Sequence, residues 1–209
     1  ERRSIKQIEY LMELPLFPLS TVLFPYGRMP LQIFEQRYLD LVKNCMRNDS
    51  KFGVVLILEG SEMDKKDHVK PNLSSMGTLA RIVDWDQLPN GLLGITIQGS
   101  ERFFLLDSWK QENGLVLGNI NIFQSDTYAP MRKEWNPLLD VLNRIKQHPH
   151  VKRMNLDINE QDAWQVGFTL AQLLPIVEID KNELLGLKDI EELMEKLDKM
   201  LSEMSGGKQ

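Results

Sequence analysis

Residues 14–46, LPLFPLSTVLFPYGRMPLQIFEQRYLDLVKNCM, decide the fold of this chain. Four prolines separate short apolar runs in the first half, and because proline lacks the N–H that a central strand needs, they predict strand ends or edges. From Glu35 the apolar residues recur at i, i+3, i+4, i+7 and i+8, which is typical of an amphipathic helix. The stretch therefore predicts strand, turn, strand and helix, with Gly27 taking a positive φ in the turn.

Apolar and β-branched runs follow this helix and predict a sheet. Residues 52–58 are apolar throughout, as expected of a strand that is buried on both faces near the centre of a sheet. Further strands are predicted at residues 77–83, 92–98, 102–109 and 115–123, with turns at 88–91 and 112–114. The polar residues 59–76 show no periodicity and predict a long loop that is either disordered or functional.

Beyond residue 125 the β-branched runs stop and leucines take over at helical spacing. Four helices are predicted, two of them short: one from Trp135 to about His148, one capped by Asn159, and two that begin near Asp180 and Asp189. The sequence therefore predicts an α+β fold, with a β-rich part at residues 1–125 and a small helical bundle at residues 126–209.

The charge balance is mildly acidic. The chain has 209 residues with 30 acidic and 25 basic side chains, a formal charge of −5. This total offers no general attraction to nucleic acid or to an anionic membrane, although it leaves room for a local basic patch. Cys45 is the single cysteine, so no intramolecular disulfide can form. With no signal peptide and no apolar run near the length of a membrane span, the composition predicts a cytoplasmic protein.

Reactive side chains form no recognisable catalytic set. The three histidines, His68, His148 and His150, match no zinc-ligand spacing and are expected in exposed loops. Asp84 and Asp86 are interpreted as a solvated pair on an edge strand rather than a glycosidase acid and base. No serine has a neighbouring histidine to act as a base. The sequence predicts no metal, no cofactor and no catalysis, and a hydrolase of unrecognised type stays as the remaining catalytic alternative.

Four blocks, in order, resemble the Lon substrate-binding (Lon N-terminal) domain family. They are residues 14–42, GTLARIVDWDQLPNG at 77–91, IQGSERFFL at 97–105 with its Gly-x-x-Arg-Phe pattern, and GFTLAQLLPI and the residues that follow it at 167–201. The resemblance implies a PUA-like β pseudobarrel followed by a helical bundle, which recognises unfolded protein substrates. Because the chain has no G-x-x-x-x-G-K-[ST] phosphate loop and no length for ATPase or Ser-Lys peptidase domains, it resembles a stand-alone bacterial Lon-domain protein.

The candidate binding residues are Phe34, Arg37 and Tyr38, at the junction of strand and helix. In one interpretation Glu35 caps the helix and Arg37 makes a surface ion pair. In the other, the three residues form a groove wall that contacts an extended peptide. The expected partners are other polypeptides, either unfolded substrates or a protease or chaperone, bound by edge-strand pairing or in a groove between barrel and bundle. RNA binding is the alternative, by analogy with the PUA-like barrel alone. The oligomeric state is left open.

Overall fold

The computed structural model describes residues 12–59, 72–123 and 127–206, which form six strands, six α-helices and one 3-10 turn. The strands are β1 (Met12–Leu19), β2 (Arg28–Ile33), β3 (Phe52–Glu59), β4 (Asn72–Gln87), β5 (Leu93–Lys110) and β6 (Val116–Ile122). The helices are α1 (Gln36–Asn48), α2 (Asn136–Lys146), α3 (Pro149–Arg153), α4 (Ala163–Leu173), α5 (Glu178–Gly186) and α6 (Ile190–Gly206). The predicted α+β class is confirmed.

The strands form one sheet in the order β2-β5-β4-β3-β1-β6, and an additional pairing of β5 with β6 closes it into a barrel. β5 makes this closure possible because its first half pairs with β2 and β4 and its second half pairs with β6. Two separate strands were predicted here, and that prediction is wrong. β5 runs for 18 residues without interruption, since an extra residue between Gly99 and Arg102 forms a bulge against β4 that bends the strand instead of ending it.

The prolines of β1 and β2 lie at strand positions that have a hydrogen-bonded neighbouring strand on one side only. Leu16–Leu19 of β1 pairs with β3, whereas Met12–Leu16 pairs with β6, so Pro15 and Pro18 each lie in a half-strand with one partner. Pro30 lies in β2, whose only partner strand in the described sheet is β5. Pro30 thus lies on an edge strand as predicted, whereas Pro15 and Pro18 lie inside β1, where each faces a paired strand on one side only.

The turn before β2 differs from the prediction. Tyr26, and not Gly27, has the positive φ, at 67°. Gly27 lies against α4 instead: a Cβ at this position would lie 2.6 Å from the Gln172 side-chain oxygen and would displace that side chain. A tertiary contact that is distant in sequence therefore explains this glycine.

Helix α1 packs its predicted stripe into the barrel core: Tyr38, Leu41, Val42 and Cys45 are buried. Met46 is 44% exposed, since a residue eight positions after Tyr38 is rotated by about 80° around the helix axis. Residues 52–56 of β3 are buried, and β3 lies in the middle of the sheet, as predicted. β4 begins at Asn72, so the end of the predicted polar loop is strand, whereas residues 60–71 lie outside the described residues.

The helical part has one more helix than predicted. Residues 149–153 form the short helix α3 where a turn was expected, because Pro149 suits a first helical position and the His148 imidazole accepts a hydrogen bond from the His150 N–H, 3.3 Å away. Asp162, three residues after the predicted cap, accepts from the Trp164 N–H and begins α4. Asp189 begins α6 as predicted, whereas Asp180 lies inside the first turn of α5.

One hydrophobic core joins the strands to the helices. Val22, Phe24, Leu56, Met76 and Phe123 pack in the same cluster as the buried faces of α2, α4, α5 and α6. The boundary predicted after residue 125 lies outside the described residues, so a division into two parts stays a prediction. No helix in the described part of the chain has the length and apolar content needed to cross a bilayer.

Candidate functional site

The structure separates the three predicted binding residues. Phe34 follows β2 and is 55% exposed, so its ring is available on the surface. Tyr38 is only 7% exposed and stacks on Phe17, with ring centroids 4.0 Å apart. The prediction that Tyr38 forms part of a groove wall is therefore corrected. Its ring fills the core under α1, because the first apolar position of the helical stripe faces inward.

At the start of α1, Arg37 makes an ion pair and a hydrogen bond to the backbone. Its Nη2 lies 2.6 Å from Glu35 Oε2, and its Nη1 donates to the Gly114 carbonyl at 2.7 Å. The Glu35 side chain makes no capping hydrogen bond, so that expectation is wrong, whereas the expected ion pair is present. Both partners are largely buried, with 18% and 26% of the Arg37 and Glu35 side chains exposed. Arg37 thus ties the start of α1 to the turn between β5 and β6.

A second surface site lies between the barrel and α3. It is a cleft of about 400 Å³ between the outer face of β2, β4 and β5 and the residues of α3 and its C-terminal end. Its lining consists of Arg28, Met29, Pro30, Val83, Asp84, Thr96, His150, Arg153, Met154 and Asn155, and we call it the barrel–helix cleft. Arg28 Nη1 donates to the Met154 carbonyl at 3.3 Å and so spans the cleft floor.

Basic groups outnumber acidic ones in the barrel–helix cleft. Arg28, Arg153 and His150 face a single carboxylate, that of Asp84. Arg28 Nε is buried and has no hydrogen-bond partner among the described residues. Sequence reasoning missed this site because its residues come from four separate elements. The available signal was the run RIKQHPHVKR at residues 144–153, which has four basic residues and no acidic residue in an acidic chain.

The outer part of β4 is an exposed strand edge, since β3 pairs with β4 only as far as Ala80. Asp84 Oδ1 accepts a hydrogen bond from the Trp85 N–H at 2.9 Å, and Asp86 Oδ1 accepts one from the Gln87 N–H at 2.7 Å. These amides face away from β5, because antiparallel bonding alternates along a strand. The two aspartates thus accept hydrogen bonds from N–H groups that another strand would otherwise use. Asp84 and Asp86 lie at an exposed strand edge, as predicted.

The histidines lie outside any cluster of ligating side chains. His148 and His150 begin α3, and His68 lies outside the described residues. Among the residues that the structure describes, no three His, Cys, Asp or Glu side chains are grouped so as to hold a metal ion.

Comparisons with known proteins agree on one family. The crystal structure of a Lon N-terminal domain protein from Xanthomonas campestris is 36% identical, with a TM-score of 0.71, covering 89% of this chain and 96% of that one. The N-terminal domain of a Mycobacterium avium complex Lon protease shares the fold, with a TM-score of 0.63 at 15% identity over 91% of this chain and 98% of that one.

Curated relatives are longer proteins. Lon protease 2 of Herpetosiphon aurantiacus is 23% identical over 202 residues, which are 92% of this chain and 24% of that protein. The chain therefore spans about a quarter of the length of the curated relatives it matches. A family model described as the ATP-dependent protease La (LON) substrate-binding domain matches residues 13–204. The chain belongs to the family of the Lon substrate-binding domain.

Proposed function

We propose that this chain is a non-catalytic module that binds unfolded or extended polypeptide segments. The observation that carries the proposal is the match of a substrate-binding domain to residues 13–204, nearly the whole chain. The matched structures are N-terminal domains, and not the catalytic domains of Lon proteases. The bound polypeptides are unfolded substrates or a protease or chaperone partner, the compartment is the cytoplasm, and binding uses no cofactor and no metal.

Phe34 and Arg37 are the proposed contacts at the start of α1. Phe34 presents an aromatic ring that is 55% exposed, and large exposed rings supply much of the energy of protein binding. Arg37 fixes the start of α1, which follows Phe34 in the chain, through its bonds to Glu35 and Gly114. Tyr38 supports the same surface from inside the core through its stacking on Phe17.

The test is binding of a reduced and alkylated model protein in the absence of ATP. We expect a dissociation constant of about 10 μM, measured by fluorescence anisotropy, together with slower aggregation of a heat-unfolded protein. No binding at tens of micromolar would contradict the proposal. The same assay with an RNA oligonucleotide tests the RNA-binding alternative, for which the family match gives no support. Tight, salt-sensitive RNA binding would make RNA binding the favoured function in place of polypeptide binding.

A matched pair of variants tests the surface. Phe34→Ala should weaken binding of the unfolded protein about fivefold to thirtyfold, the loss expected for one exposed aromatic contact. Met46→Ala removes a comparably exposed apolar side chain, 44% exposed, from the far end of α1 and should leave binding unchanged. Equal losses in both variants would show that the surface near Phe34 has no special role.

A further inference from the structure

We propose that the barrel–helix cleft binds an acidic, apolar polypeptide segment, with a carboxylate on Arg28 and Arg153 and an adjacent apolar side chain against Pro30 and Met154. This inference rests on the proposed function and deepens it, because it specifies a class of polypeptide and a second contact surface remote in sequence from Phe34.

The first argument is the local charge. The chain carries a formal charge of −5, yet residues 144–153 hold four basic and no acidic side chains. Two of the four are already engaged: Lys146 pairs with Glu160 at 2.7 Å, and Arg144 Nε donates to the Asp140 carbonyl at 3.3 Å. Lys152 and Arg153 make no ion pair with any described residue, and of these two Arg153 lines the cleft.

The second argument is the state of Arg28. Its Nη1 donates to the Met154 carbonyl, whereas its buried Nε has no partner in the described part of the chain. A buried donor without a partner is unfavourable, and a guanidinium has the geometry to bind a carboxylate through two parallel hydrogen bonds. Asp84 lines the same cleft without forming an ion pair with Arg28. An incoming carboxylate would supply the acceptor that this arrangement lacks.

The third argument is the apolar part of the lining and its size. Pro30, Val83 and Met154 form the wall beside the basic groups, and a methionine such as Met154 adapts to side chains of different shape. A volume of about 400 Å³ accommodates a few side chains of an extended chain rather than a folded domain. The described lining contains no Phe, Tyr or Trp ring, and single-stranded nucleic acid binding relies on aromatic stacking. A peptide is therefore favoured over RNA.

The test uses fluorescent peptides of alternating Glu and Leu, Gln and Leu, and Lys and Leu with the intact protein. Arg153→Glu should weaken binding of the Glu-Leu peptide about tenfold or more, as expected for a charge-assisted contact. Lys152→Glu makes the same charge change on the same helix outside the cleft lining and should weaken it less than about threefold. Binding of the Gln-Leu peptide should be weak and equal in all three proteins, and Arg153→Glu should gain affinity for the Lys-Leu peptide.

The outcomes separate this inference from the proposed function. Equal losses in Arg153→Glu and Lys152→Glu would overturn the cleft, and they would leave the proposed function standing if the wild type still binds the alkylated model protein. Failure of the wild type to bind either the peptides or the model protein would overturn both. A loss of oligouridylate binding confined to Arg153→Glu, without any Glu-Leu peptide binding, would also overturn the cleft as a peptide site.

Discussion

Arg102 shows how a single residue joins the two halves of the fold. Its side chain is fully buried and donates to the carbonyls of Leu185 and Leu187, the second at 2.6 Å. Its guanidinium lies 4.2 Å from the centroid of the Phe123 ring and 5.0 Å from that of Phe168. The Gly-x-x-Arg-Phe pattern noticed in the sequence therefore has a structural role, because its arginine anchors the end of α5 to β5.

Replacing Arg102 should be costly. We expect Arg102→Met to lower the free energy of unfolding by about 2–4 kcal/mol, because the buried carbonyl of Leu185 and the partly buried carbonyl of Leu187 lose their donor. Arg81→Met is the matched control, since Arg81 is exposed and, among the described residues, its side chain donates a hydrogen bond only to the Gln98 side chain. Urea unfolding measures both variants. Equal free energies of unfolding for Arg102→Met and Arg81→Met would show that the contacts of Arg102 contribute little to stability.

Cys45 gives a pH dependence at the same scale. Burial raises the pKa of its thiol, and a hydrogen bond with Ser50 offsets this only in part. The pKa of the thiol is therefore higher in the folded than in the unfolded protein. Below the unfolded pKa of about 8.5 the thiol is protonated in both states and its contribution to stability is complete. This contribution is lost as the pH rises through the folded pKa, because the thiol ionises more readily in the unfolded chain than when it is buried.

We therefore expect the stability difference between wild type and Cys45→Ala to shrink as the pH rises above about 8.5. Urea unfolding at several pH values measures it, and Met46→Ala, which removes an exposed neighbour that does not titrate, should show a pH-independent difference. A constant difference for Cys45→Ala would contradict the argument.

At the scale of elements, the exposed edge of β4 is protected by its own side chains. Asp84 and Asp86 accept hydrogen bonds from amides that would otherwise be free to pair with a second strand. Trp85 lies between them, 60% exposed, so the segment would be prone to associate without this protection. Edge pairing through this part of β4 is accordingly disfavoured as a route for polypeptide binding.

The double variant Asp84→Val with Asp86→Val should associate at concentrations where the wild type does not, because valine favours strands and cannot accept a hydrogen bond. Asp84→Asn with Asp86→Asn removes the charges but keeps the oxygen acceptors, and it should associate less. Light scattering over a concentration series compares the proteins. If the asparagine variant associates as strongly as the valine variant, repulsion between charges, and not hydrogen bonding, protects the edge.

At the scale of the whole molecule, the barrel and the helices complete each other. Gln172 of α4 accepts from the Phe24 N–H at 2.9 Å and donates to the Val22 carbonyl at 3.4 Å, as a neighbouring strand would. Glu178 accepts from the Val22 N–H at 2.6 Å. Because Val22 and Phe24 also lie in the core shared with the helices, neither part can keep its buried surface without the other.

Unfolding should therefore be a single cooperative transition. Single-tryptophan variants that keep either Trp109 of β5 or Trp164 of α4 report on the two parts. Their thermal midpoints should agree within about 1 °C, which is below the shift of roughly 2–4 °C that 1 kcal/mol produces in a chain of this size. Gln172→Ala should lower both midpoints together. Midpoints that separate would show that the two parts unfold independently.

Sequence periodicity predicted most elements because it depends on neighbouring residues. The apolar stripe of α1, the buried run of β3 and the capped start of α6 are all local patterns, and the structure confirms them. The helix α3 was missed because its five residues give no periodic signal, and Gly27 was misassigned because its constraint is a contact with Gln172.

By itself, the sequence determined the α+β class, the order of the elements and, through the resemblance of its motifs, the family. The tertiary structure decided which side chains face a partner. Tyr38 is in the core and Phe34 is exposed, although they lie four residues apart, and the basic cleft unites Arg28 with Arg153, which are far apart in the chain. The physical reason is that periodicity reports which face of an element is apolar, whereas burial and charge clustering depend on contacts between elements that local spacing does not record.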